Sequence, residues 1–211
     1  MTPEQSFNTP AATIAAQFQR NLEAHRAKAM TRQEQLREQQ LAVAGRKQLT
    51  PRAREVTTAR VYLEGSDQLS AMRQAELDMR RTTRDKIGRK YFSGKANDPI
   101  SRRDAMDRAR ALTDERDARD ALAAAQRDGD EAMTAAIAEH ALGMLWLGVV
   151  NEWAADKPGA TEDINLYRQL AHEPSYVEAA VYEAIPAGAV DGKPWYTIVT
   201  TAQEDLGGDA A

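Results

Sequence analysis

Between Ala11 and Ala44 the chain carries neither glycine nor proline and reads AATIAAQFQRNLEAHRAKAMTRQEQLREQQLAVA. Nothing in that stretch stops a helix, and its Ala, Gln, Glu, Arg and Leu favour one. Ile14, Phe18 and Leu22 fall at i, i+4 and i+8, on one helical face. Beyond Leu22 the stripe thins to His25, Ala29 and Leu36. So narrow an apolar seam cannot hold a long helix in water by itself. It demands a companion helix, in the same chain or in another, and Ile14, Phe18, Leu22 and Leu36 are the expected protein-contact residues.

The rest of the chain predicts more helices. Gly45 suits a C-cap, and Thr50-Pro51 suits a start, a hydroxyl N-cap followed by proline at the first helical position. That helix is expected to stop at Gly65, and another to run from about Asp67 to Ile87. After a break at 88–99, Ser101 with Asp104 resembles a capping box, and helix is expected through Arg127. Arg103–Asp107, Asp104–Arg108 and Arg116–Asp120 each lie four apart, a spacing that supports a solvated rod by a few tenths of a kcal/mol per pair, roughly. Asp128-Gly129-Asp130 marks a turn.

The most apolar element follows, predicted as one helix over 131–156. Ile137, Met144, Trp146, Val150 and Trp153 are its expected core, and Gly143 and Gly148 are expected to admit close backbones. Thr161 can cap a helix to about Ala171, and Ser175 with Glu178 forms a second capping box. WYTIVTT, residues 195–201, is β-branched and aromatic and is the one strand the sequence predicts, although it lacks a clear partner strand and an extended tail is the alternative. The expected fold is mainly α: long N-terminal helices, then a small C-terminal helical globular part, with at most a minor β element near the C-terminus. The expected boundaries are a flexible lead-in over 1–10, an extended helical arm over 11–128 with breaks near 45–50, 65–66 and 88–99, a globular part over 129–202, and a disordered tail over 203–211.

Charge is distributed unevenly. Residues 1–104 hold 20 Lys and Arg against 12 Asp and Glu, whereas 105–211 hold 8 against 20. Such asymmetry points to an anionic partner, to head-to-tail pairing between copies, or to pairing of basic and acidic faces within the fold. There is no cysteine, which excludes disulfides and thiolate metal sites. The N-terminus lacks the basic and apolar regions of a secretory signal, and the longest apolar run, Ala141–Val150, is too short to cross a bilayer. No membrane role is expected, and the expected location is the bacterial cytoplasm or a virion.

Gly88–Lys95, GRKYFSGK, concentrates glycine, basic and aromatic residues. It is not a phosphate loop. Five residues, not four, separate Gly88 from Gly94, and Ala96 stands where a magnesium-binding hydroxyl belongs. Two readings remain. In one, Arg80, Arg81, Arg84, Arg89, Lys90 and Lys95 line a nucleic-acid backbone or an acidic protein surface while Tyr91 and Phe92 stack on bases. In the other, Tyr91 and Phe92 anchor a hinge and the basic residues are solvated. His25, His140 and His172 have no metal-ligand spacing. His140 beside Glu139 reads as a satisfied half-buried side chain, not acid–base machinery. No catalytic, cofactor-binding or metal-binding residues are expected, and no cofactor.

The segment TAAIAEHALGMLWLGVVNEWAADKPGATEDINLY, residues 134–167, resembles uncharacterised helical proteins from the structural-gene regions of actinobacterial phages and prophages. The resemblance lies in an Ala-rich helix with a Trp-x-x-Val-Val-Asn centre (Trp146, Val149, Val150, Asn151) and a terminal Asp-x-Pro ending at Pro158. It implies a virion or assembly role and carries over no functional residue. The expected function is therefore a non-enzymatic structural or assembly protein. Its partners would be other copies of itself or other structural proteins, with nucleic-acid binding through residues 73–103 as the alternative.

Overall fold

The computed structural model describes residues 13–93 and 99–206. The fold is mainly α. Among the described residues there are nine α-helices, two single 3-10 turns and no strand. The helices are α1 Ile14–Ala44, α2 Pro51–Phe92, α3 Pro99–Arg110, α4 Glu115–Asp128, α5 Glu131–Gly143, α6 Leu147–Ala154, α7 Ala160–Gln169, α8 Tyr176–Ala179 and α9 Trp195–Ala202. No helix among the described residues is long and apolar enough to cross a membrane.

The chain divides into two compact units, each drawn from distant stretches. One joins Arg80–His172 to the N-terminal stretch ending at Gln19; the other joins Arg20–Met79 to the segment from Glu173 onward. The expected division at 128/129 is not the one the fold makes. Most of the lead-in and the last residues of the tail lie outside the described residues.

In the second unit, α1 and α2 run antiparallel. As numbers rise on α1 they fall on α2: Arg26 meets Glu76, Arg32 meets Gln68, and Leu36 lies against Gly65. Leu36 and Ala29 are fully buried with Leu69 and Tyr182. Gly65 does not end a helix. A Cβ there would lie 2.4 Å from Leu36 Cδ1, so the missing side chain is where Leu36 packs. Thr50 caps α2 as expected, accepting from the Ala53 N–H at 3.1 Å.

Residues 173–206 lie along this hairpin as a strap. Ser175 and Glu178 form the expected capping box. Gln33 donates to the carbonyls of Ala180 and Glu183, and Gln40 holds both the Ile185 carbonyl and the Ala187 N–H. Further on, Lys193 pairs with Glu55 and Arg52 with Glu204. The expected strand at 195–201 is helix α9. With no partner strand, its backbone groups bond within a helix, and Ile198 and Thr201, three apart, turn inward.

In the first unit α5 is central and packs against α3, α4 and α6. Met133, Ala135, Ala136, Ile137, Ala138, Ala141 and Leu142 bury it on nearly every side. The helix predicted over 131–156 is in fact two, α5 and α6. Leu145 adopts φ 62 at the break. The Leu145 N–H bonds the Leu142 carbonyl and the Trp146 N–H bonds the Ala141 carbonyl. This is a Schellman ending with leucine where glycine is usual. The break corrects the expected core: Ile137, Val150 and Trp153 are buried, but Met144 is exposed and Trp146 half-buried. Likewise the rod predicted over 101–127 divides at 111–114 into α3 and α4, where Asp114 caps α4.

The end of α7 nearest α1 is tied down by one carboxylate. Asp163 is fully buried and accepts from the Ala15 N–H at 2.8 Å, Lys90 Nζ at 3.0 Å and the Tyr91 hydroxyl at 2.8 Å.

Candidate functional site

The aromatic pair of GRKYFSGK is spent inside the protein. Tyr91 and Phe92 are buried at the last turn of α2. Tyr91 meets Trp153 edge-on at 6.0 Å, and Phe92 stacks on Trp153 at 5.8 Å and meets Tyr167 at 5.4 Å. Neither can stack on a base, which corrects that part of the nucleic-acid reading. Gly88 does not break α2; it faces Tyr167, 3.5 Å from the position a Cβ would take. Gly94 and Lys95 lie outside the described residues.

The basic residues of α2 take different roles. Lys90 is paired with Asp163 and lies over the Tyr91 ring. Burial pulls its ammonium pKa down, but bonds to Tyr91 and Asp163 outweigh this and hold it above the ordinary value. Arg80 donates to the His172 carbonyl at 3.5 Å. Arg81 and Arg89 are exposed. The Arg84 guanidinium lies 4.9 Å from the centre of the Tyr167 ring, a cation–π contact that fixes its plane.

Arg84 belongs to a trough that sequence reading did not single out. Three clefts of about 690, 650 and 270 Å³ share Glu139. Arg84 and Arg89 enter from α2, Arg102, Arg103 and Arg110 from α3, and Arg168 from α7. These six arginines face three acids, Glu139, Asp85 and Asp107, with His172 at one end. One oxygen of Glu139 and Nε of Arg84 are buried without a hydrogen-bond partner among the described residues. Burial pushes the Glu139 carboxyl above its ordinary range, and the charges of Arg102 and Arg110 only partly offset it.

The trough has an apolar edge. Leu145 lines the largest of the three clefts and is 65% exposed. Met144 and Leu147 beside it in sequence are also exposed. Nothing in the sequence marks Leu145 as left-handed, because leucine seldom adopts that conformation. Arg168 was hidden for another reason: it sits on a helix whose face is decided by packing between distant segments.

His140 stays apart from this chemistry. His140 Nε2 lies 3.1 Å from the Leu112 carbonyl and its ring meets Trp146 edge-on. Glu152 is paired with Arg119 at 2.7 Å. The described residues contain no group of three side chains able to hold a metal ion. Of the expected protein-contact residues, Phe18, Leu22 and Leu36 are buried within this chain, and Ile14 is half-buried. No family model, no curated protein and no solved structure matches the chain.

Proposed function

We propose that this chain works by contact rather than by catalysis, as a helical structural or assembly protein that binds other proteins or further copies of itself. The observation that carries this is the division of labour in the basic segment. Its aromatics face inward, while Arg84 joins arginines of α3 and α7 in a trough edged by exposed Leu145. Arginine beside exposed methionine and leucine suits a protein partner. His140 and Glu152 are engaged elsewhere, so neither joins Glu139 as acid–base machinery. The setting we propose is phage or prophage particle assembly, as scaffold, minor virion component or connector-associated factor, in the bacterial cytoplasm or the virion. It follows from the sequence resemblance of residues 134–167.

The test is absolute mass by light scattering after size exclusion, at low and high salt. Because the basic and acidic residues are segregated along the chain, we expect an oligomer that dissociates as salt rises. A monomer at both salts that binds single-stranded DNA tightly would overturn the proposal. Nucleic-acid binding is the second reading, favoured by exposed Arg81, Lys86 and Arg89 along α2. It requires affinity that falls steeply with salt and is lost on reversing the charge at Arg81 and Arg89. Undetectable affinity at low salt removes it.

A further inference from the structure

The trough over Glu139 combines two features that a bare anion site would not need together. The first is its excess of arginine over acid. The second is Leu145, which stands in water with φ 62. An apolar side chain held in a left-handed conformation costs about 1 kcal/mol or more relative to glycine there. A conformation so disfavoured, placing an apolar group at the mouth of a basic cleft, is a feature from which function is properly inferred.

We propose that the trough is a docking groove for an acidic amphipathic segment of a partner protein. Its carboxylates would meet Arg84, Arg102 and Arg168, and an apolar side chain would cover Met144 and Leu145. This rests on the protein acting by contact, and it names the chemistry of the partner. Charge complementarity selects acids, because guanidinium forks bind carboxylates with two parallel hydrogen bonds. The apolar edge selects a protein segment over a phosphate backbone. Base stacking has no platform here: Tyr91 and Phe92 are buried and Arg84 lies over the Tyr167 ring. The partner segment supplies further acidic acceptors to a groove whose arginines outnumber its acids, and cover for its exposed leucine.

The test uses the full chain and a fluorescent peptide of about twelve residues with leucines at helical spacing and glutamates between them. One control replaces every glutamate by glutamine, and another every leucine by serine. Inorganic polyphosphate and single-stranded oligothymidine serve as competitors. Expected is anisotropy binding weakened about tenfold or more by either replacement, and by Arg102→Ala or Arg168→Ala, whose folding is checked by thermal melting. Equal binding of the serine peptide, or displacement by polyphosphate or oligothymidine at equal charge, would make the trough a general polyanion site and overturn the proposal. Displacement of the peptide by unlabelled chain would put a second copy there instead, and would equally overturn it. A salt-sensitive oligomer with no peptide binding would sink the groove while leaving the assembly role standing.

Discussion

Glu139 is held at a cost, because one of its oxygens is buried without a partner among the described residues. Its carboxyl titrates above the ordinary range through burial. The neutral form is thus favoured by folding, so the fold is unpenalised below the ordinary glutamate value near 4.5 and loses stability as pH rises through the raised one. Glu139→Gln should therefore stabilise the protein at pH 7, by removing the charge that burial disfavours, and change little near pH 4. Urea midpoints at the two pH values measure this; equal effects at both would show that the charge is not what costs. Leu145 makes the complementary case. Leu145→Gly relieves the left-handed strain and should raise stability by about 1 kcal/mol while weakening the acidic peptide. A variant that gains stability and keeps full peptide affinity would leave the leucine without the binding role proposed for it.

At the scale of elements, what was legible followed local chemistry. Thr50-Pro51 and Ser175 with Glu178 cap as their side chains dictate, within four residues, whereas Ser101 and Thr161, the other expected caps, lie inside helices that start at Pro99 and Ala160. What was not legible depended on a neighbour far along the chain. Gly65 looks like a terminator until Leu36 is seen filling its place. Residues 195–201 look like a strand by composition, but among the described residues no second strand is present to pair with them. Gly65→Ala tests this logic. Alanine gains about 1 kcal/mol of helix propensity over glycine. Three Leu36 atoms nevertheless lie within 3 Å of the new Cβ, and Leu36 is fully enclosed. Overpacking of this kind costs about 1–3 kcal/mol, so a net loss is expected. Combining it with Leu36→Ala should give less than the sum of the two losses in a double-mutant cycle, and strict additivity would refute the close approach.

Across the whole molecule, each unit is closed by segments far apart in sequence, which is why a division at 128/129 was the natural expectation and the wrong place to cut. In the unit containing Arg20–Met79, the late strap is bound at one end by a network centred on buried Glu76. Arg26 pairs with Glu76 at 2.7 Å and Glu178 at 3.1 Å, and the Tyr182 hydroxyl donates to Glu76 at 2.7 Å. The Ser175 N–H and hydroxyl, with Arg26, hold the Glu178 carboxyl down to about 2. Its contribution is present above the ordinary value near 4.5 and is lost as pH falls toward 2. Glu178→Gln should accordingly destabilise at pH 7 and match the unmodified chain near pH 2; a difference that persists in acid would assign the loss to packing.

The hairpin of α1 and α2 depends on that strap for its third side. Tyr182, Val190 and Ile198 are buried and pack with residues of the two long helices, Leu36 and Leu69 in one cluster and Ala59 and Tyr62 in the other. Removing them strips about 2 kcal/mol of apolar burial apiece, roughly 6 kcal/mol in all. That is comparable to the whole stability of a small domain, about 5–15 kcal/mol. The glutamines that fasten the strap, Gln33 and Gln40, would lose their carbonyl and N–H partners there as well. A chain ending at His172 should therefore keep protected amides in α5, whose core lies in the other unit, and lose protection around Leu36 and Leu69. Hydrogen exchange on the truncated chain measures both regions at once. Undiminished protection at Leu36 and Leu69 would mean that the narrow seam of α1 suffices against α2 alone, against the expectation that the length and polarity of that helix impose.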